Sequence, residues 1–210
     1  MKKISTLFKK DPDNLGMVIN EIDPKNEWIF DTFDDDREVL PTRQYDGSAS
    51  AIIDGKLYKR YANKVVENNG RYIETLDMEK FKDAIMCERK WVGVGSVLYW
   101  IPCLRENNAD KYHFEAFDKM EFLEEGTYEL IGEKINGNNE KISGHLLIKH
   151  GANVLPVDDF SFEGLQTYLG NDANDIEGIV FHHPDGRMCK IRKSDFGFKR
   201  QSKLFSEKAG

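Results

Sequence analysis

Four spaced segments carry side chains able to bind a phosphorylated ligand. They are Thr42-Arg43-Gln44-Tyr45-Asp46-Gly47-Ser48, then Lys59-Arg60, then Tyr128-Glu129-Leu130-Ile131-Gly132. The fourth is Ile176-Glu177-Gly178-Ile179-Val180-Phe181-His182, followed after a turn by Cys189-Lys190-Ile191-Arg192-Lys193. Arg60, Lys190 and Arg192 supply cations suited to phosphate oxygens. Lys190 and Arg192 share one face of a strand, because strand side chains alternate. Glu129 and Glu177 offer acceptors for ribose hydroxyls, or for the water shell that Mg2+ usually retains. Taken singly, each segment is ordinary. A Lys-x-Arg strand is often a solvated face, a glutamate ending a strand more often faces water, and Asp-Gly is more often a turn.

These side chains need strands to hold them. Asp54-Gly55 separates Ser48–Ile53 from Lys56–Tyr61, a strong hairpin signal. Tyr112–Phe117 alternates polar and apolar residues and reads as a strand. Thr127–Ile131, His145–Ile148, Glu177–His182 and Met188–Arg192 also read as strands, the last two flanking the turn residues Pro184-Asp185-Gly186. Two helices are expected. One spans Met78–Arg89, with Met78, Phe81 and Ile85 on one face and Asp77 as N-cap; the other spans Phe162–Leu169 between Ser161 and Gly170. Asn136-Gly137-Asn138-Asn139 and Glu106-Asn107-Asn108-Ala109 read as loops. The sum is a single α+β domain over residues 1–210, dominated by antiparallel strands.

Composition bounds the function. The chain has 210 residues, 40% of them hydrophobic and 32% charged, which fits a globular fold. A net charge of -7 argues against a histone-like binder of polyanions. The charge is uneven, however. Residues 21–38 hold eight acids against Lys25 and Arg37, whereas residues 187–203 hold seven bases against Asp195. A basic end of this kind suits a local polyanion site, and equally a solvated terminus. No apolar run reaches the ~20 residues needed to span a bilayer. Cys87, Cys103 and Cys189 form no CxxC pair, and no histidine pairs with them at metal-ligand spacing. They read as reduced thiols of a cytosolic protein. His182-His183 is a poor metal pair because adjacent strand residues face opposite ways. Asp34-Asp35-Asp36 reads as a solvated loop, Gly93-Val94-Gly95-Ser96 as a turn, and Trp91 and Trp100 as core.

In this order the segments resemble the covalent nucleotidyltransferase superfamily of ATP-dependent ligases and mRNA capping enzymes. The likeness narrows at Tyr128-Glu129-Leu130-Ile131-Gly132-Glu133-Lys134-Ile135-Asn136-Gly137-Asn138 and His145-Leu146-Leu147-Ile148-Lys149-His150-Gly151-Ala152. These resemble the 5′–3′ RNA ligase family of the vertebrate RNA ligase 1 type, over roughly residues 40–195. The resemblance implies a ligase-type, ATP-grasp-like nucleotidyltransferase domain with antiparallel sheets flanked by helices. It implies ATP (bound through AMP) and Mg2+ or Mn2+ as cofactors. The implied partner is RNA with 5′-phosphate and 3′-hydroxyl ends, and the implied setting is a cytoplasmic monomer (host cytoplasm if phage-encoded) with no membrane partner. The nucleophile position falls at Gln44, with Lys190 on the α-phosphate. The implied ATP contacts are Arg43, Asp46, Gly47, Arg60, Glu129, Ile148 against adenine, Glu177, Lys190 and Arg192. Asp46, Glu129 and Glu177 would meet the metal through water. The chain ends 18 residues after Arg192, so no separate C-terminal oligonucleotide-binding domain is expected.

One departure matters. The family pattern has lysine two residues before Asp46, where this chain has Gln44. An amide nitrogen is delocalised into its carbonyl and forms no phosphoramidate. Arg43 stays protonated and cannot replace it. Lys56 and Lys59 lie on the far strand of the hairpin. Self-adenylation is therefore not expected. Two origins stay open: an engineered Lys→Gln change, favoured by the intact remaining motifs, or a natural paralogue that binds nucleotide or RNA ends without catalysis.

Overall fold

Strand pairing dominates the computed structural model, which describes residues 4–14, 16–33, 38–68, 71–74, 83–89 and 96–201. In chain order the elements are β1 (Ser5–Thr6), β2 (Phe8–Lys10), β3 (Val18–Ile22), β4 (Leu40–Gln44), β5 (Ser48–Ile53), β6 (Lys56–Asn68), β7 (Arg71–Glu74), β8 (Ile85–Arg89) and β9 (Ser96–Pro102). Helix α1 (Lys111–Phe117) follows, then β10 (Gly126–Gly132), β11 (His145–Lys149), α2 (Phe162–Gly170), β12 (Gly178–His182) and β13 (Met188–Arg192). The result is a mixed α+β fold with antiparallel sheets and few helices. The chain divides into two compact units, a middle one over Gly47–His150 and a flanking one built from Ile4–Asp46 and residues 151–201.

The middle unit is one sheet in the order β11-β10-β5-β6-β9-β8, with β7 on β6. Its first hairpin turns at Asp54 (φ 50°) and Gly55 (φ 69°), the paired positive φ values of a tight two-residue turn. One face buries Ile52, Leu57, Cys103 and Tyr128 against Phe114 and Phe117 of α1. The other face buries Ala49, Ala51, Tyr58 and Trp100. Trp100 is thus core, as expected.

The segment read as a strand at Tyr112–Phe117 is instead α1. Asn107 accepts the amide of Ala109 and closes a 3-10 turn over Asn108–Asp110 that launches the helix. Phe114 and Phe117 lie three residues apart, so they share a helical face, whereas strand alternation would set them on opposite sides. The helix expected over Met78–Arg89 is corrected at its C-terminal end, where Ile85–Arg89 pairs with β9. Residues 78–82 of that expectation lie outside the described residues, as do Asp34-Asp35-Asp36, Trp91 and Gly93–Gly95.

The flanking unit holds a sheet in the order β1-β13-β12-β4, antiparallel except for the β1–β13 pair. Its core gathers Leu7, Ile29, Ile179, Phe181 and Ile191 of the sheet and its surroundings, with Leu165 and Leu169 of α2. Each such side chain contributes roughly 1.5–3 kcal/mol on burial. Helix α2 is the helix expected, capped by Ser161 Oγ accepting from the Gly164 amide at 3.1 Å. Among the described residues no helix is long and apolar enough to cross a membrane.

Candidate functional site

In the middle unit, β10 lies between β11 and β5. Antiparallel register sets Glu129 opposite Ala49 on β5 and Ile148 on β11, so all three share a face. Arg60 lies on that face too, two residues beyond Tyr58, which pairs with Ala51. Lys59 points the other way, where its ammonium bonds the buried carboxylate of Asp110. This engagement takes it away from any role as a replacement nucleophile. Glu129 Oε2 lies 2.9 Å from His150 Nε2, and His150 Nδ1 lies 2.9 Å from Thr127 Oγ1. The imidazole therefore fixes the carboxylate's direction. His150 stood within a recognised motif but had no role from sequence, since only the fold shows that it turns back onto Glu129.

Gly47 lies against β10. A Cβ there would stand 2.2 Å from the Leu130 carbonyl oxygen and 2.8 Å from Glu129 Cγ. Backbone cannot yield as a side-chain tip can. Gly47→Ala should push β5 from β10 and lower unfolding stability by about 1–3 kcal/mol, measured by denaturant titration. Asn136 holds the same corner, donating from Nδ2 to the Gly47 carbonyl at 2.9 Å. It sits in the expected loop, which forms a 3-10 turn with positive φ at Asn136, Gly137 and Asn138.

In the flanking unit, three strands align a second set. Gly178 of β12 pairs with Gln44 of β4 on one side and with Arg192 of β13 on the other. The next row with the same orientation is Thr42, Val180 and Lys190. Cys189 and Ile191 point into the apolar core, so Lys190 and Arg192 point from the opposite face. Gln44, Lys190 and Arg192 thus share one face. Gly178 keeps the strands close, since a Cβ there would lie 2.3 Å from the Ile191 carbonyl oxygen. The Gln44 Oε1 atom is buried and has no hydrogen-bond partner. A buried acceptor without a donor is rare and costly.

Arg192 is not poised alone. Its guanidinium Nη2 donates to Asp195 Oδ1 at 2.9 Å, and its backbone amide donates to Asp195 Oδ2 at 2.9 Å. Lys10 Nζ reaches the same carboxylate at 2.9 Å. Burial alone would raise the Asp195 pKa, but the bonds from Arg192 and Lys10 outweigh it and hold the group below its ordinary 3.8. Sequence reading had Asp195 only as an opposing charge in a basic tail. The hydrogen bond to Asp195 in turn raises the Arg192 pKa, and the charge of Glu177 adds to this.

Glu177 precedes β12, and its carbonyl accepts the Lys193 amide at 2.9 Å. Arg43 pairs with Ile179 and so occupies the face opposite Gln44, its guanidinium 4.7 Å from the centre of the Tyr45 ring. The structure does not bring it together with Gln44, Lys190 and Arg192. Asp46 is half-buried at the end of the flanking unit's first segment. His182 and His183 diverge as expected, His182 to Thr42 Oγ1 at 2.9 Å and His183 to Asp31 Oδ2 at 3.2 Å. Glu129 in the middle unit, and Asp46 and Glu177 in the flanking unit, each carry carboxylate oxygens of the kind that Mg2+ or Mn2+ takes.

Residues 99–205 match the family model for RNA ligase 1. RNA ligase 1 of Pongo abelii is 37% identical over 82 residues, covering 36% of this chain. The match spans about a quarter (25%) of that protein's length. Glu129, Ile148, Glu177, Lys190 and Arg192 lie inside the range matched by the family model, whereas Gln44, Asp46, Gly47 and Arg60 precede it.

Proposed function

The chain belongs to the RNA ligase 1 family, and from this we propose that it is an ATP-dependent RNA ligase domain whose Gln44 blocks the two steps that pass through lysyl-AMP and spares the last. The full reaction has three displacements at phosphorus. A neutral lysine Nζ attacks the α-phosphate of ATP, the bond to pyrophosphate breaks, and lysyl-AMP forms with loss of the lysine proton. The 5′-phosphate of RNA then displaces the lysine from AMP. Finally the 3′-hydroxyl attacks the adenylated 5′-phosphate, gives up its proton and expels AMP.

Position 44 holds the nucleophile in this scheme. Lys190 bonds the α-phosphate and Arg192 adds positive charge beside it. Glu129, oriented by His150, accepts from ribose hydroxyls, and Ile148 offers an apolar surface to adenine. Arg60 contacts phosphate. Asp46, Glu129 and Glu177 would hold Mg2+ or Mn2+ through water, and that ion would screen phosphate charge. The observation supporting the reading best is the shared face of Gln44, Lys190 and Arg192, with Gln44 Oε1 buried and unsatisfied.

The last step needs no lysyl-AMP. The Gln44 chain should therefore seal RNA supplied with a 5′-adenylate to a 3′-hydroxyl strand, while leaving 5′-phosphate RNA with ATP unsealed. A gel assay with both substrates tests this. A second reading, a non-catalytic binder of nucleotide or RNA 5′ ends, is favoured by Gln44 itself. It expects retention of ATP or RNA ends with neither substrate sealed.

A further inference from the structure

Cys103, Asp110 and His113 lie on separate turns of sequence, with no spacing that suggests a metal site. The fold of the middle unit gathers them. The Cys103 sulfur, an Asp110 carboxylate oxygen and a His113 ring nitrogen all lie within 4.8 Å of one another. Cys103 directly follows β9, held by its amide donating to the Leu57 carbonyl at 2.9 Å. The Asn107 cap turns the chain back, so that Asp110 enters α1 and His113 occupies its first turn. The three residues are only 8%, 1% and 7% exposed.

Two features distinguish this cluster from ordinary buried polar packing. Neither ring nitrogen of His113 has a hydrogen-bond partner. A buried imidazole normally finds at least one, so His113 has a ring nitrogen open to a ligand. The Asp110 carboxylate, by contrast, is fixed. Oδ1 takes the Lys59 ammonium, and Oδ2 accepts the Leu104 amide at 3.1 Å. A ligating carboxylate characteristically has this outer support.

We propose that Cys103, Asp110 and His113 bind a divalent ion of the zinc class, with water completing a tetrahedron. Sulfur, nitrogen and oxygen together suit zinc or cobalt, whereas Mg2+ takes oxygen alone. Binding turns the Cys103 thiol into a thiolate and releases its proton to water. The ion ties the end of β9 to α1. That helix packs on β11 through Phe114, Phe117 and Leu147, and through His145 Nδ1, 2.9 Å from Glu115 Oε2. It is therefore a structural staple for the sheet that carries Glu129.

The test uses the full chain, stripped by chelator and titrated with Co2+. One equivalent should bind and produce the near-ultraviolet thiolate-to-cobalt charge-transfer band. Cys103→Ser should abolish that band, His113→Gln should weaken Co2+ binding at least ~10-fold, and Cys189→Ala should leave the band intact. Alkylation and peptide mapping of the unmutated chain guard against misfolded variants, since Zn2+ should protect Cys103. A folded chain that binds no Co2+, a band that survives Cys103→Ser, or alkylation of Cys103 unaffected by Zn2+ overturns the proposal.

Discussion

Gln44→Lys should convert a chain that takes up no covalent nucleotide into one that becomes labelled by α-labelled ATP and Mg2+. The present side chain has no nucleophilic nitrogen, so the background should be near zero. Losing a covalent nucleophile elsewhere costs about 10^6-fold in rate, and the gain here should be of that order. Lysine at this position would share a face with Lys190 and Arg192. Those cations disfavour a third positive charge and lower the new lysine's pKa below its usual ~10.4. The reactive form is the deprotonated amine. Labelling should therefore rise with pH from neutrality and level off before the pKa of a free lysine. The bond formed is a phosphoramidate, so the label should survive alkali and be released by acid. A folded Gln44→Lys chain that binds ATP and never becomes labelled would remove the ligase reading and leave the non-catalytic one.

The strands were more legible in the sequence than the helices, for physical reasons. The Asp54-Gly55 hairpin depends on two residues that tolerate positive φ, a local property visible in any window. The strands at β10, β11, β12 and β13 are short, apolar and bounded by turn residues. Their alternation was enough to place Lys190 and Arg192 on one face. At α1 the alternation misled, because Tyr112, Phe114 and Ala116 fit period two while the helix uses Phe114 and Phe117. The deciding signal was the Asn107 cap, which lay in a stretch read as a loop. At Ile85–Arg89 pairing to β9 overrode a helical pattern, and that partner is distant in sequence. His150 on Glu129, Asp195 on Arg192 and the Cys103–Asp110–His113 cluster are likewise tertiary facts. No periodicity encodes them, since each depends on where a loop returns. The face of Arg43 was missed for another reason. Motif adjacency to Gln44 suggested a shared role, but strand alternation puts neighbours on opposite sides.

Lys190 and Arg192 look equivalent in sequence, and their environments predict that they will separate under mutation. In the Gln44→Lys background, Lys190→Met removes a cation while retaining the apolar stem. If Lys190 bonds the α-phosphate, labelling should slow by about 10²–10³-fold. Arg192→Met should act differently. Asp195 is 2% exposed, and Arg192 supplies one of the charges that offset its burial. Lys10 remains at 2.9 Å, and the Arg192 side chain is itself 34% exposed, so the loss is partial. A cost of about 1–3 kcal/mol follows. The pH dependence gives this a sign. With Arg192 present, the folded Asp195 pKa lies below 3.8, so its stabilisation holds above that value and fades only as pH falls through the lower one. Without Arg192, burial is less well opposed, the carboxyl takes a proton at higher pH, and acid unfolding should begin earlier. Labelling rates and acid-unfolding midpoints of the two variants distinguish the roles. Equal losses of stability with unchanged labelling would make both residues parts of the scaffold, and would leave the α-phosphate without a protein cation on this face.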